Sequence, residues 1–372
     1  MKFCFWGDIA NALNGTTIGG GELQVSLLAK SLALEGHEVR VIDPSFTHSF
    51  VTKEGIQVFN VAEWNKGIPF FRIFWYRMPA LYKLFVKQKA DYYYVRMRSY
   101  FNLFSYLAAR KNKSKFLLAL ASDIDLFSIR NKYKYEYKAN FKVIRYLNQW
   151  LPNDLVFKYL LKRADIVIQQ HTGQDLSKHN IKGKVVLFPN ILDRSGITVD
   201  DYNKKGKYMY VGSLTMVKGA NTLLEIVKSG NNNQSLMIIG QPNDRTATGI
   251  YEEIKQQNKA ELKGRKNHEE TMQLMRQARA IINTSEFEGF PNVFLEAWAM
   301  GIPVLSYKVN PGNLFNKYSL GICFNGELKT MKEYIAAGEI PVYDKANMLN
   351  YIKEFHDFDT AGKRFLQTVN SQ

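Results

Sequence analysis

The sequence predicts an α/β protein built of two successive units, and three observations carry that expectation. Along the first half, short β-branched and aromatic runs alternate with longer amphipathic ones, which is the pattern of a parallel sheet with helices on its faces. Over residues 194–207, Arg-Ser-Gly-Ile-Thr-Val-Asp-Asp-Tyr-Asn-Lys-Lys-Gly-Lys, the periodicity is lost and the chain turns polar; the alternation then restarts. A length of 372 residues is long for one domain and ordinary for two.

The elements follow in order. Residues 2–6 read as a first buried strand, because the apolar run is too short before Asp8 to be a signal peptide. A loop covers 7–21, and a helix is expected from 22 to about 35. Leu23, Leu27, Leu28 and Leu32 mark its apolar side and Gly36 its end. Strands are expected at 38–42, 56–61, 91–95, 116–120, 164–169 and 184–188. After the linker at 194–207 come a strand at 208–211, a Gly-containing loop, a helix at 220–228 and a strand at 236–239. A helix at 268–279, strands at 280–283 and 302–305, and one or two helices over 345–369 complete the pattern. The domains are accordingly 1–193 and 208–344, with a C-terminal helical segment at 345–372. No internal repeat or low-complexity tract is evident.

Bulk composition narrows the function classes. A hydrophobic fraction of 46% and an aromatic fraction of 13% suffice for two packed cores. Cys4 and Cys323 lie far apart and form neither a metal spacing nor a disulfide framework, so a reducing compartment, the cytoplasm, is expected. No run approaches the 18 apolar residues of a membrane span. The formal charge of +16 is concentrated: residues 64–163 hold 21 Lys and Arg against 5 Asp and Glu, while the remainder balances. Aromatics interleave with the early part of this segment, at Trp64, Phe70, Phe71, Phe74, Trp75, Tyr76, Tyr82, Phe85 and Tyr92–Tyr94. That mixture suits an anionic membrane surface, with the protein peripheral on the inner face of the cell membrane. A soluble basic face with its aromatics turned inward is the plain alternative, and nucleic acid is the weakest of the three readings.

The chemistry-bearing stretch is Ser285-Glu-Phe-Glu-Gly-Phe-Pro-Asn-Val-Phe-Leu-Glu-Ala-Trp-Ala-Met-Gly-Ile-Pro-Val304. Glu288 and Glu296 stand eight positions apart. Pro291 fits the first turn of a helix running from 292 to 300, which Gly301 ends. Glu288 then lies on the loop before the helix and Glu296 one turn past Asn292, so both carboxylates can face one crevice. Amides around 290–293, at the positive helix end, suit a phosphate. Gly289, Phe290, Pro291 and Asn292 therefore join Glu288 and Glu296 as candidate binding residues. Two further glycine loops follow strands. Gly19-Gly20-Gly21 opens the first helix, without the third glycine of a dinucleotide fingerprint. Gly212-Ser213-Leu-Thr-Met-Val-Lys218-Gly219 follows the strand at 208–211. Asp123 ends the strand at 116–120; it can bond a substrate hydroxyl or cap the next helix. No metal constellation, Walker loop or nucleophile elbow is present.

The paired glutamates with their Gly, Pro, Glu-Ala and Gly-x-Pro-Val surroundings closely resemble the signature of the retaining glycosyltransferases of family four. The Gly20 loop, with Glu-Gly-His-Glu-Val downstream, resembles that family's first loop, which implies that Gly19, Gly20 and Gly21 reach the donor diphosphate and border the acceptor, and Gly212–Gly219 resembles its phosphate-binding loop. The resemblance is strong over 205–310, fair over 1–43 and weak over 44–180. It implies a GT-B architecture, two Rossmann-like domains facing across a crevice, with the last helix crossing back to the first domain. It implies a nucleotide-sugar as substrate, no cofactor, no metal, and a glycan or lipid-linked acceptor of cell-surface polysaccharide or lipopolysaccharide synthesis. Glu288 would orient the donor sugar, Glu296 hold the ribose and Lys218 neutralise the diphosphate, with Asp123 beside the reacting sugar. Two departures stand out: Ser213 replaces the family's phosphate-binding Arg, and Ser122 its His. The turn at Phe188-Pro-Asn-Ile-Leu-Asp193 resembles a family turn with Ile191 in place of Gly and reads as structural. His171 reads as an ordinary polar contact. The rival readings are another GT-B enzyme, such as a nucleotide-sugar epimerase, and a non-enzymatic basic binding module.

Overall fold

Runs such as Phe3-Cys-Phe-Trp6, Val39–Ile42 and Leu236-Met-Ile-Ile239 carry apolar residues on both faces, as strands buried between helix layers must. The computed structural model describes residues 1–16, 19–68, 71–134, 138, 142–197, 206–230, 236–340 and 343–371. Its first part runs β1 (Lys2–Trp6), α1 (Ala10–Leu13), α2 (Gly20–Leu34), β2 (Glu38–Ile42), β3 (Phe50–Val51), β4 (Gln57–Phe59), α3 (Met78–Gln88), β5 (Tyr92–Val95), α4 (Asn102–Lys111), β6 (Lys115–Ala119), α5 (Ile129–Lys132), α6 (Val143–Arg145), α7 (Leu151–Leu161), β7 (Ile166–Gln169) and β8 (Lys184–Leu187). Its second part runs β9 (Lys207–Val211), α8 (Ala220–Ser229), β10 (Leu236–Ile239), α9 (Arg245–Gln257), β11 (Ala260–Gly264), α10 (His268–Met275), β12 (Ala278–Asn283), α11 (Asn292–Ala299), β13 (Val304–Ser306), α12 (Leu314–Tyr318), β14 (Gly321–Cys323), α13 (Leu328–Ala336), α14 (Lys345–Phe355) and α15 (Phe358–Asn370).

The chain divides into two compact units: Met1–Ala121 with Lys142–Asp193 and Asp357–Gln372, and Ser122–Phe141 with Arg194–His356. In the first unit the strand order is β3-β4-β2-β1-β5-β6-β7-β8, parallel except for the β3–β4 pair. Phe3, Phe5, Val39, Val41 and Leu117 fill its core, and α15 contributes Phe365 and Val369 to the same cluster. The Ser31 hydroxyl accepts the Gly362 N–H at 2.7 Å, which seats α15 on α2. The second unit has an all-parallel sheet, β11-β10-β9-β12-β13-β14.

Several expectations need correction. The expected loop over 7–21 contains the short helix α1, and α2 already begins at Gly20, so Gly20 and Gly21 form its first turn and Gly19 stays outside, extended at φ −152°. First-turn amides need no intrahelical partner, so glycine costs little there. Asp123 begins a short 3₁₀ turn but does not cap it. The cap is Ser122, whose hydroxyl accepts from the Ile124 N–H while Asp125 accepts from the Ser122 N–H. The segment carrying Asp123 clusters with the second unit, not the first. Most of the linker, 198–205, lies outside the described residues, as does Phe70. The basic aromatic segment divides: Phe85, Tyr93 and Tyr94 are buried, whereas Phe71, Phe74 and Trp75 are exposed.

Two helices in that segment share an irregularity. A five-residue π turn, Ile73–Arg77, precedes α3, and another, Tyr146–Trp150, joins α6 to α7. Each is followed two residues later by a proline, Pro79 and Pro152. A proline inside a helix offers no N–H and crowds the carbonyl four residues back. The ladder before it widens to the next carbonyl, which is what a π turn is.

Candidate active site

In the second unit the chain leaves β9 for β10 and β11 on one side, then returns to β12 on the other. The loops at the carboxyl ends of β9 and β12 are thereby neighbours at the point where strand order reverses, the place where open α/β sheets bind ligands. These loops are Gly212–Gly219 and 284–291. They are joined by backbone: the Glu286 N–H donates to the Val217 carbonyl at 3.0 Å, and the Thr284 hydroxyl to the Lys218 carbonyl at 2.8 Å. Gly219 makes the approach possible. Its φ is +70°, and a Cβ there would overlap the Thr284 carbonyl oxygen.

The pairing brings Lys218 Nζ to Glu288 Oε1 at 2.8 Å. The Ser285 hydroxyl donates to the same oxygen at 2.9 Å. Both charged side chains are partly exposed, so they are held in place yet reachable. Tyr210, at the end of β9, donates to the Ser213 carbonyl at 3.1 Å and fixes the start of the loop. Its phenol is pushed upward by burial and then by the Glu288 carboxylate. Gly212 takes the mirror-extended backbone at φ +151° that lets the chain turn off the strand.

Past Glu288 the loop buries Gly289 and Phe290, and α11 starts. Pro291 is its N-cap at φ −64°, ψ 124°, rather than its first helical residue; the proline turns the chain in extended form before Asn292 takes up the helix. The helix is anchored by Trp298, fully buried, whose indole N–H donates to the Leu320 carbonyl at 2.9 Å. Glu296 is on the same helix with its side chain 12% exposed, and burial pushes its carboxyl from 4.5 up to about 7. The His268 imidazole, at the start of α10, has Nδ1 3.9 Å from Oε1. Local reading of the sequence missed His268, since 28 positions separate it from Glu296. Its one local signal is the capping box Asn267…Glu270, which marks the helix start.

The structure thus gathers Gly212, Ser213, Lys218, Glu288, Gly289, Phe290, Pro291, Asn292 and Glu296 within one unit. Gly19, Gly20 and Gly21 belong to the other, beyond β1. There the Asp8 carboxyl is raised by burial and then by Asp43 and Glu22, so the surroundings of that loop are acidic. His171 is buried and accepts the Gly173 N–H, and Asn190 accepts from Arg96 and Gln170, both as structural contacts. Among the described residues no three His, Cys, Asp or Glu side chains gather as a metal would require.

A raised carboxyl has a definite pH signature. Between about 4.5 and 7 the folded protein holds a proton at Glu296 that the unfolded chain has released, so this group's contribution to stability falls as pH rises through that window. A ligand that needs the carboxylate should bind about tenfold more tightly at pH 8 than at pH 6, following the ionised fraction of a group with pKa near 7. Calorimetric titration of nucleotide at the two pH values, with Glu296→Gln as the flat control, measures this.

Among curated protein sequences none matches this chain closely enough to count as a relative. Two family models do match: glycosyl transferases group 1 over residues 199–325, and glycosyl transferase 4-like over residues 18–171. Solved structures of similar fold include sucrose-phosphate synthase from Thermosynechococcus elongatus (TM-score 0.73, 16% identity, 98% of this chain and 97% of that one). Anabaena HepE in complex with UDP-glucose superimposes over the whole of both chains at TM-score 0.68 and 16% identity. The lipopolysaccharide outer core galactosyltransferase WaaB does so at TM-score 0.66 and 18% identity, over 100% of this chain and 99% of that one. Glycosyltransferase models thus match both halves, the group 1 model covering the Lys218 and glutamate loops, and the chain has the GT-B fold.

Proposed function

We propose that the protein is a retaining, metal-independent hexosyltransferase that moves a sugar from a nucleotide-sugar donor to a glycan or lipid-linked acceptor in cell-surface polysaccharide or lipopolysaccharide synthesis. The Lys218–Glu288 pair carries this reading, because it sets a cation and a hydroxyl-accepting carboxylate 2.8 Å apart at the switch point of the sheet. The second unit takes the donor and the first the acceptor. In the transfer, the bond from the sugar's anomeric carbon to the diphosphate oxygen breaks and a bond from the acceptor oxygen forms on the same face. The acceptor's proton passes to the departing phosphate oxygen. Lys218 has three N–H donors, so it can keep Glu288 and still donate to that phosphate as its charge grows. The amides at the start of α11 add positive potential. Glu288 orients sugar hydroxyls, Glu296 accepts from the ribose, and Asp123 bonds a hydroxyl near the reacting carbon. The acidic surroundings of Gly19–Gly21 suit a hydroxyl-bearing acceptor better than a second phosphate. UDP is the favoured nucleotide, since Anabaena HepE, of similar fold, forms a complex with UDP-glucose. No helix among the described residues is long and apolar enough to cross a membrane.

The test is thermal stabilisation by UDP, GDP, ADP and CMP and their sugar conjugates, which bind the native state and raise its melting temperature. One nucleotide family should stabilise the wild type, and Glu296→Ala should weaken that binding about ten- to hundredfold, as loss of charge-assisted hydrogen bonds does. Unchanged affinity in Glu296→Ala removes the ribose assignment. Turnover of the donor with no acceptor present would favour an epimerase.

A further inference from the structure

We infer that Asn283, Ser285 and Ser306 form a buried relay that positions Glu288 for the donor sugar, an inference that rests on the transferase reading. Where β12 and β13 pair, Ile281 and Ile282 lie beside Val304 and Leu305, and then both strands end in a polar residue, with Asn283 in register with Ser306. Asn283 is 7% exposed, Ser285 2% and Ser306 not at all. Polar groups buried at the ends of two interior strands cost stability unless each is bonded. Here the bonds run in one direction. The Ser306 hydroxyl donates to Asn283 Oδ1 at 3.3 Å, the Asn283 amide donates to the Ser285 hydroxyl at 3.3 Å, and that hydroxyl donates to Glu288 Oε1 at 2.9 Å. The Ser285 N–H, which can only donate, also meets Asn283 Oδ1 at 3.3 Å, and this fixes which end of the amide faces which partner.

Direction matters because a hydroxyl has one proton. The Ser285 oxygen accepts from Asn283, its proton goes to Glu288, and an ionised carboxylate can only accept. Lys218 Nζ donates to the same Oε1 at 2.8 Å. Two donors thus hold one oxygen of the carboxylate, and among the described residues none donates to Oε2. The group is pinned at Oε1 and offers Oε2, so sugar hydroxyls meet a single acceptor in a fixed place, which is what orientation of a reacting sugar requires. The residue between, Thr284, is fully buried and donates to the Lys218 carbonyl at 2.8 Å. Residues 283–285 therefore place both members of the Lys218–Glu288 pair. Apolar side chains of similar shape would fill the Asn283 and Ser306 positions at little cost in stability. What the polar ones add is a fixed direction for the Glu288 carboxylate. Asn283, Ser285 and Ser306 are positioning residues: they act through Glu288 and not on the substrate.

The experiment compares Ser285→Ala, Asn283→Leu and Ser306→Ala with the wild type on UDP-glucose and UDP-galactose, each with a glycan acceptor, and on free UDP. Ser285→Ala and Asn283→Leu should lower kcat with the preferred sugar about tenfold, the worth of a hydrogen bond to a charged group, and Ser306→Ala, one link further away, about threefold. Preference between the two sugars, which differ in the direction of one hydroxyl, should shrink by a similar factor. Affinity for free UDP, which carries no sugar, should stay within about twofold of wild type. Asn283→Asp keeps the shape, but its carboxylate competes for the Ser285 proton, so it should lose as much as Asn283→Leu. Wild-type kcat and sugar preference in Asn283→Asp and Asn283→Leu would overturn the proposal. So would an equal loss of UDP affinity and melting temperature beside kcat, which is the mark of a merely structural role. A wild type that binds none of these ligands would count against the transferase reading instead. The relay is then read without ligand, from urea unfolding of Asn283→Leu, Glu288→Gln and the double variant. These two residues meet only through Ser285, so coupling of about fivefold or more in the unfolding constant supports the relay and additivity overturns it.

Discussion

Replacing Lys218 with alanine is expected to slow sugar transfer about 10²–10³-fold, equivalent to about 2.7–4 kcal/mol of transition-state stabilisation. The charge on a departing diphosphate is largest as the bond to the sugar breaks, and a preplaced cation acts at that moment. Ser213 can give a hydrogen bond but no charge, so the duty falls heavily on Lys218. The pair with Glu288 is partly exposed, and its loss should cost stability less than about 1 kcal/mol. The expected signature is therefore a fall in turnover with a nearly unchanged melting temperature. Lys218→Arg should recover part of the rate. Steady-state kinetics with a UDP-sugar and a glycan acceptor decide the matter, and a variant within threefold of wild type removes Lys218 from the chemistry.

Trp298→Ala should be the most damaging change to the fold of the second unit, at about 3–5 kcal/mol. The indole is fully buried between Phe294, Phe315 and Tyr351, at ring-centre distances of 5.5, 5.7 and 5.8 Å. Truncation opens a cavity and also strands the Leu320 carbonyl that the indole N–H satisfies. Trp298→Phe keeps most of the volume and should cost clearly less. Since Glu296 is on the same short helix, nucleotide binding should weaken along with stability. Urea unfolding followed by nucleotide titration measures both. A loss below 1 kcal/mol would mean that α11 is held by something other than this ring.

What was legible from residues alone follows the physics of burial. Strands β1, β2 and β10 were placed to the residue, because continuous apolar runs in β1 and β10, and β-branched residues alternating with charge after Gly36 in β2, leave little choice. β3, β11 and β14 were missed. They are two to five residues long and none is fully buried, so their alternation is too weak to read. The loop carrying Glu288 and the helix carrying Glu296 were legible because their signals are local. The Lys218–Glu288 contact joins residues 70 apart, and only the strand order of the sheet puts them side by side. Pro291 shows the limit of rules about helix starts: its φ fits either the cap or the first turn, and ψ alone decides.

The last helix sets the order in which this protein can be made. Phe365 and Val369 of α15 belong to the core of the N-terminal unit, so that core cannot close until they have emerged from the ribosome. Residues 194–356 form the bulk of a complete unit of their own and can fold while the first unit still waits. At ordinary elongation rates the wait is roughly ten to forty seconds. Throughout it, the sheet that began translation first stays open along α2, and nascent chains are at their most dependent on chaperones there.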